Sequence, residues 1–176
     1  HVLLCQEQAL QNEEKDSGTR RFVFEKAFSF RDVWFGYKEK RVLSGVSFSI
    51  PKGSFIGLIG PSGAGKTTVV DLALRLFKPD SGEILLDGIS VLDIDLHTYR
   101  KNVGYVSQDI HLINDTVANN IRFFDESITE EAIVRAAKQA YIYDVIEALP
   151  EKFSSVGGER GIHFSAGQRQ RIVIAR

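Results

Sequence analysis

One short run of glycine, lysine and threonine carries the most specific chemistry in this sequence. Residues 60–68 fit the pattern G-x-x-x-x-G-K-[ST], in which glycines let the backbone curl so that several N–H groups point toward an anion. The pattern predicts a phosphate site, with Lys66 reaching the terminal phosphates and the Thr67 hydroxyl holding Mg²⁺. The residues of this phosphate loop are Gly60, Pro61, Ser62, Gly63, Ala64, Gly65, Lys66, Thr67 and Thr68.

The elements that must position this loop are a strand before it and a helix after it. The apolar run 55–59 predicts a short buried strand that ends at Gly60. Apolar residues then recur at helical spacing from Val69 to Leu76, until Pro79 stops the pattern. The beginning of that helix would add its positive dipole end to the phosphate site. The alternative is an ordinary glycine-rich turn before a helix.

Composition narrows the class of protein. The chain has 176 residues, 43% hydrophobic and 26% charged, which suits one globular domain. A net charge of −1 gives no reason to expect nucleic acid as a ligand. The single cysteine, Cys5, allows no internal disulfide and favours a reducing compartment. The chain begins with His1 and contains no methionine, so we expect a piece of a longer polypeptide.

Alternating aromatic residues precede the phosphate loop. Residues 1–19 read as a linker without chemistry, whereas 22–37 and 46–50 alternate apolar and polar side chains, with a break expected at Gly36. This periodicity predicts an antiparallel β layer. Tyr37, at the end of a predicted strand, is a candidate to stack on a purine ring. The alternative, another aromatic on a half-buried sheet, is favoured by the pattern alone.

A second polar group stands at the end of another predicted strand. Residues 103–107 predict a short buried strand that ends at Gln108. An amide at such a position can coordinate a metal or orient a water molecule. It is equally suited to a simple hydrogen bond within a loop.

Helical signals dominate the rest of the chain. Residues 116–124 predict a helix, and 127–131 form a helix-start signature. Apolar residues then recur at helical spacing from Ile133 to Leu149, and Pro150 ends that helix. After a glycine-rich loop, the small residues within 164–168 precede a further helix and offer either a second anion site or an ordinary helix cap.

The order of these motifs resembles the nucleotide-binding domain of ABC transporters over residues 28–176. Tyr37 matches the adenine-stacking aromatic, residues 60–68 the Walker A loop and Gln108 the Q-loop glutamine. Phe164-Ser165-Ala166-Gly167-Gln168 is similar to the signature LSGGQ. The resemblance implies an α/β fold: a P-loop NTPase, RecA-like core with an N-terminal antiparallel β subdomain and an inserted helical subdomain at about 110–165.

The same resemblance implies a mechanism and partners. ATP and Mg²⁺ would lie between the Walker A loop of one domain and Ser165, Gly167 and Gln168 of a second domain, paired head to tail. Lys66 and Gln108 would be the catalytic residues, with Gln108 helping Thr67 to hold Mg²⁺. Residues 156–161 are similar to the exporter-type loop that touches membrane helices. A membrane-spanning domain upstream would therefore place the chain at the cytoplasmic face of a plasma or inner membrane.

Two departures from the family pattern qualify these expectations. Phe164 and Ala166 replace the leucine and first glycine of the signature, so we expect weaker contacts of the signature with phosphate. The chain also stops at Arg176, before the family's Walker B strand, catalytic glutamate, D-loop and switch histidine. We therefore expect the intact protein to hydrolyse ATP and this piece to do so barely or not at all.

Three other functions share part of the pattern. A soluble ABC-type ATPase of DNA repair or translation fits less well, because of the near-neutral charge and the exporter-like loop. A small-molecule kinase or GTPase leaves residues 164–168 unexplained. A degenerate module that binds ATP without hydrolysis stays open, since the residues that would decide it lie past Arg176.

Overall fold

A four-stranded antiparallel sheet organises the first part of the chain in the computed structural model, which describes residues 18–38, 40–157 and 164–176. The strands lie in the order β2-β1-β3-β4. Every neighbouring pair is antiparallel, so the predicted antiparallel β layer is confirmed. The strands are β1 (Ala27–Tyr37), β2 (Lys40–Pro51), β3 (Ser81–Leu86) and β4 (Ile89–Ser90).

The central strand β1 is held on both sides through its aromatic residues. Phe30 pairs with Phe48 on β2 and with Ile84 on β3, and the rings of Phe30 and Phe48 are stacked with centroids 4.6 Å apart. Phe30, Val33 and Phe35 are buried. The break expected at Gly36 was wrong, because β1 continues and pairs Gly36 with Arg41.

Two predicted strands are absent from the described ladders. Residues 55–59 and 103–107 belong to no helix or strand, and the side chains of Phe55 and Ile59 are 100% and 99% exposed. An apolar run becomes a buried strand only when a neighbouring strand takes up its N–H and C=O groups. No described residues pair with these two segments, and the prediction of buried strands there was wrong.

The helix after the phosphate loop is shorter than predicted. Helix α1 (Lys66–Ala73) ends where Arg75 adopts a left-handed conformation with φ 55°, so the helical pattern does not continue to Leu76. Helix α2 (Leu96–Lys101) follows in the same unit, and its Tyr99 hydroxyl donates to the carbonyl of Ala73 at 2.5 Å. This bond fastens the end of α1 to α2.

The chain divides into two compact units, the first ending at Gly104 and the second beginning at Tyr105. The described part of the second unit is helical, as predicted. The single helix expected up to Leu149 was wrong, because the chain turns at Tyr141, whose φ is 55°. Helices of this unit are α3 (Val117–Arg122), α4 (Glu130–Gln139), α5 (Tyr143–Glu147) and α6 (Ala166–Ala175), with a 3₁₀ turn at Lys152–Ser154.

A buried asparagine fixes the loop that leads into α3. The Asn120 side chain is 1% exposed; its Oδ1 accepts from the amide of Ile113 and its Nδ2 donates to carbonyls that include those of Ile113 and Thr116. Around it, Leu112, Ile121, Ile133, Ile146 and Ile172 form part of one buried cluster. The boundaries predicted for the helical subdomain, about 110–165, stay a prediction.

None of the helices in the described ranges is long and apolar enough to cross a bilayer. The predicted linker at 1–19 lies outside the described residues except for Gly18 and Thr19.

Candidate nucleotide-binding site

The phosphate loop turns into α1 through two glycines in the left-handed region. Gly63 has φ 81° and Gly65 has φ 85°, a conformation that residues with a Cβ adopt only at a cost. Gly65 is also the N-cap of α1, and a Cβ at this position would lie 2.8 Å from Leu43 Cδ2. Glycine is therefore required at 65 both by backbone conformation and by the packing of β2 beneath the loop.

The beginning of α1 offers amides that no side chain caps. The first N–H groups of a helix have no partner within it, and at α1 the N-cap residue makes no side-chain hydrogen bond. The short helix α5 also lacks such a cap, whereas α2, α3, α4 and α6 are capped by the side chains of Asp95, Thr116, Thr129 and Ser165. An uncapped helix beginning with a positive dipole end suits an anionic ligand.

Lys66 brings an ammonium group to the same loop. Its Nζ donates to the carbonyl oxygens of Gly60 and Pro61 at 2.8 Å and 2.7 Å. The loop thus folds back over Lys66, and the ammonium group of this lysine lies between the carbonyl oxygens of residues 60 and 61. Residues 60–64 are exposed, which leaves this face of the loop open to a ligand.

The two threonines that follow Lys66 have different surroundings. Thr67 is exposed in the first turn of α1, whereas Thr68 is buried. A hydroxyl oxygen is a suitable ligand for Mg²⁺, which prefers oxygen donors and takes its others from phosphates and water. Thr67 therefore fits the predicted metal role. Thr68 has its hydroxyl 3.5 Å from the Tyr37 hydroxyl, so its backbone amide is the group left for a phosphate.

Tyr37 lies at the end of β1 in a cluster of aromatic rings. Its ring meets Phe35 and Phe77 edge to face, with centroids 5.0 Å and 5.6 Å away and interplanar angles of 88° and 90°. Its hydroxyl lies 3.4 Å from Asp71 Oδ2 on α1. The structure thus brings Tyr37 beside the helix of the phosphate loop. Its packing also fits the alternative, an aromatic on a half-buried sheet, and stacking on a purine stays a prediction.

Gln108 lies in the second unit, in an exposed bend outside regular structure. Just before it, the Ser107 hydroxyl donates to the carbonyl of Asp109 at 2.6 Å, closing a tight turn. The amide of Gln108 is therefore presented on a constrained loop. Its roles in binding metal and in catalysis stay predictions.

The signature-like residues form the beginning of α6. Ser165 Oγ accepts from the amide of Gln168 at 3.2 Å, and Gln168 Oε1 accepts from the amide of Ser165 at 2.8 Å. This reciprocal pair is a capping box. Of the two interpretations that the sequence offered for this segment, the helix cap is therefore the one that describes its local structure. Ser165, Ala166 and Gly167 are exposed while Phe164 is buried. Phe164 therefore anchors the segment, and the three small residues after it face solvent.

Several residues that shape these sites escaped sequence reasoning. Asp71 contacts Tyr37, Asn120 fixes the loop before α3, and Arg169 donates from Nη1 to the carbonyl of Phe164 at 2.8 Å. Asp71 stands between the apolar residues Val70 and Leu72, which was the available signal, whereas Asn120 and Arg169 lie beside other polar residues and had none. Residues 158–161 of the predicted membrane-contacting loop lie outside the described residues.

A glycine loop that opens a helix at a lysine and a threonine defines the class of P-loop nucleotide-binding domains. A family model described as ABC transporter matches residues 43–176. The chain belongs to the ABC transporter family.

Relatives and solved structures agree with this assignment. The chain is 46% identical over 167 residues to an ATP-dependent lipid A-core flippase of Haemophilus influenzae (strain 86-028NP), covering 93% of this chain and 28% of that protein. It is 46% identical over 137 residues to ABC transporter ATM1 of Toxoplasma gondii, covering 78% and 12%. The chain therefore spans less than a third of the length of these relatives.

A solved structure of a bacterial Atm1-family ABC exporter with ATP bound superimposes with a TM-score of 0.84 at 36% identity. The match covers 90% of this chain and 28% of that one. This likeness confirms the predicted fold class, a P-loop NTPase domain with an antiparallel β subdomain and a helical part, and the exporter type of the family.

Proposed function

We propose that this chain is the ATP-binding domain of an ABC exporter, which couples binding and hydrolysis of ATP to transport of a substrate across a membrane. The observation that carries the proposal is the beginning of α1, where left-handed glycines, an uncapped helix start and the Lys66 ammonium converge. The relatives named as a flippase and as exporters support the transport half of the proposal.

The chemistry of Lys66 supports binding of a triphosphate. Its present acceptors are neutral carbonyl oxygens, and an anionic phosphate oxygen adds a Coulomb attraction to the ammonium that a neutral oxygen lacks. A phosphate oxygen therefore replaces Gly60 and Pro61 as the favoured acceptor. Amides at the beginning of α1 would take further phosphate oxygens, as predicted for residues 60–68.

Thr67 and Gln108 are proposed to hold Mg²⁺ together with the phosphates. When bound, the ion neutralises charge between the outer phosphates during phosphoryl transfer. Thr67 contributes a hydroxyl oxygen from an exposed first turn, and Gln108 an amide oxygen from an exposed bend. Both are neutral oxygen donors of the kind that Mg²⁺ accepts.

The exposed residues at the beginning of α6 are proposed to face a second nucleotide-binding domain, paired head to tail. Ser165 and Gly167 would then close over the outer phosphate of an ATP held by the other domain. The Ser165 hydroxyl is already held by the capping box, which fixes the direction in which the exposed backbone points. A structural relative is described as an exporter with ATP bound, which supports ATP as the nucleotide held at such a site.

Transport requires a membrane-spanning domain, which we propose lies upstream on the same polypeptide. The coverage of only 28% of the flippase leaves ample length for such a domain. On this proposal the chain works at the cytoplasmic face of a plasma or inner membrane. The intact polypeptide hydrolyses ATP, while the 176-residue chain binds it and shows little or no turnover.

Isothermal titration of Mg·ATP into the intact polypeptide tests the binding proposal. The wild type is expected to bind saturably, and Lys66→Ala to weaken binding at least about 30-fold, because a charge-assisted phosphate contact is worth roughly 2 kcal/mol or more. Lys52→Ala, which removes an exposed lysine in the turn after β2, is the matched control and should bind as the wild type does. Equal affinity of the Lys66→Ala variant and the wild type would reject the site.

A further inference from the structure

Asp71 lies one turn beyond the phosphate-loop threonines on α1, next to the hydroxyl of Tyr37. Its Oδ2 accepts from the Tyr37 hydroxyl at 3.4 Å, and the Thr68 hydroxyl lies 3.5 Å from the same phenol oxygen. Residues three apart on a helix share a face, so Thr68 and Asp71 together present two oxygens to Tyr37. The ring at the end of β1 is thereby tied to the helix that begins at Lys66.

The aromatic contacts of Tyr37 do not involve its hydroxyl group. Phe35 and Phe77 meet the ring edge to face, and both are buried. Such contacts hold the ring in place, but a phenylalanine would make them equally well. The hydroxyl contacts with α1 are what a tyrosine adds, and they fix the end of the ring that points toward α1.

The spacing along α1 gives this contact a geometric consequence. Lys66 and Asp71 are five residues apart, which is about 7.5 Å along a helix axis. A nucleotide whose phosphates lie at the beginning of α1 and whose base contacts Tyr37 would thus be positioned at both ends by residues of one helix, at the base end through Tyr37. Burial raises the pKa of the Asp71 carboxyl, and the hydrogen bond from Tyr37 opposes that rise, as expected for a partly desolvated acceptor.

We propose that Asp71 is a positioning residue that orients Tyr37 for contact with the base of a nucleotide while the phosphates lie on the loop at residues 60–68. The inference rests on the proposed nucleotide binding and adds a residue that acts through Tyr37. It concerns recognition of the base alone. Loss of Asp71 should therefore weaken binding of a nucleotide and spare binding of a bare triphosphate.

The test compares Mg·ATP with Mg·tripolyphosphate on the intact polypeptide. Asp71→Ala is expected to weaken Mg·ATP binding about fivefold, the effect of a modest hydrogen bond, and to change tripolyphosphate binding less than twofold. Asp71→Asn keeps an oxygen acceptor and should recover most of the ATP affinity. Tyr37→Phe removes the hydroxyl contacts with both Asp71 and Thr68, so it should weaken Mg·ATP binding at least as much as Asp71→Ala. The double variant should be no weaker than Tyr37→Phe, because the contact between Asp71 and Tyr37 is already lost in that variant.

Controls separate this inference from the proposed function. Asp144→Ala, which removes an exposed carboxylate in the second unit, should bind both ligands as the wild type does. If the wild type binds neither ligand, nucleotide binding fails and the role of Asp71 falls with it. If the wild type binds ATP and Lys66→Ala abolishes binding, the proposed nucleotide site stands. Unchanged ATP affinity in Asp71→Ala and Tyr37→Phe would then overturn only the inference about Asp71. An equal loss for ATP and tripolyphosphate also overturns it, and should Asp71→Ala not fold, Tyr37→Phe decides.

Discussion

Replacing Gly65 by alanine should destabilise the first unit more than the same change at Gly63. Both glycines adopt φ above 80°, where a Cβ costs about 1–2 kcal/mol. Their surroundings differ. A Cβ at 65 would lie 2.8 Å from Leu43 Cδ2 and 3.2 Å from Val42 Cγ1, whereas at 63 nothing lies within 4 Å.

The extra cost at Gly65 follows from the packing of Leu43. That side chain is 4% exposed within the core of the first unit, so it cannot move away from a new methyl group without disturbing its neighbours. Overpacking of this kind costs about 1–3 kcal/mol. Together with the backbone term, Gly65→Ala should lower the free energy of unfolding by about 2–5 kcal/mol, and Gly63→Ala by about 1–2 kcal/mol.

Urea unfolding followed by tryptophan fluorescence measures this difference. The sequence contains one tryptophan, Trp34 on β1, so the signal reports the first unit. Gly63→Ala is the matched control, since it carries the same backbone cost without the clash. Equal destabilisation by the two substitutions, within about 0.5 kcal/mol, would refute the packing argument at Gly65.

Two further predictions concern stability. Burial raises the pKa of Tyr99 from 10.0 to about 12. The stability that its protonated hydroxyl contributes is therefore complete below pH 10 and is lost as pH rises from 10 to 12. Tyr99→Phe should flatten that part of a curve of unfolding free energy against pH, and an unchanged slope would contradict the prediction. Asn120→Ala leaves part-buried backbone groups at Ile113 without their partner, so it should destabilise the second unit by about 1–3 kcal/mol. Hydrogen exchange at the Ile113 amide should accelerate accordingly, and retained protection would argue against this role of Asn120.

Local signals predicted the parts of the fold that depend on neighbouring residues. The aromatic alternation before the phosphate loop predicted the antiparallel sheet, and the helix-start signature at 127–131 predicted where α4 begins. The glycine pattern likewise located the loop at the beginning of α1. In each case the stabilising interaction lies within a few residues or within one strand pair.

The errors fall where structure depends on partners distant in the sequence. Residues 55–59 have the apolar composition of a buried strand, yet composition cannot specify which strand will pair with them. The helix expected up to Leu149 broke at Tyr141, whose φ is 55°, and residues on both sides of the break pack into one buried cluster. Contacts such as Asp71 with Tyr37 join residues 34 positions apart, and no local pattern specifies which distant residue will be the partner.

Backbone amide shifts during a titration with Mg·tripolyphosphate test the central claim most directly, because they report whether the beginning of α1 itself receives phosphate. The amides of Gly63, Gly65 and Lys66 are predicted to shift with one shared saturation curve in the wild type and to stay in place in Lys66→Ala. Saturable binding that leaves these amides unmoved would contradict the account.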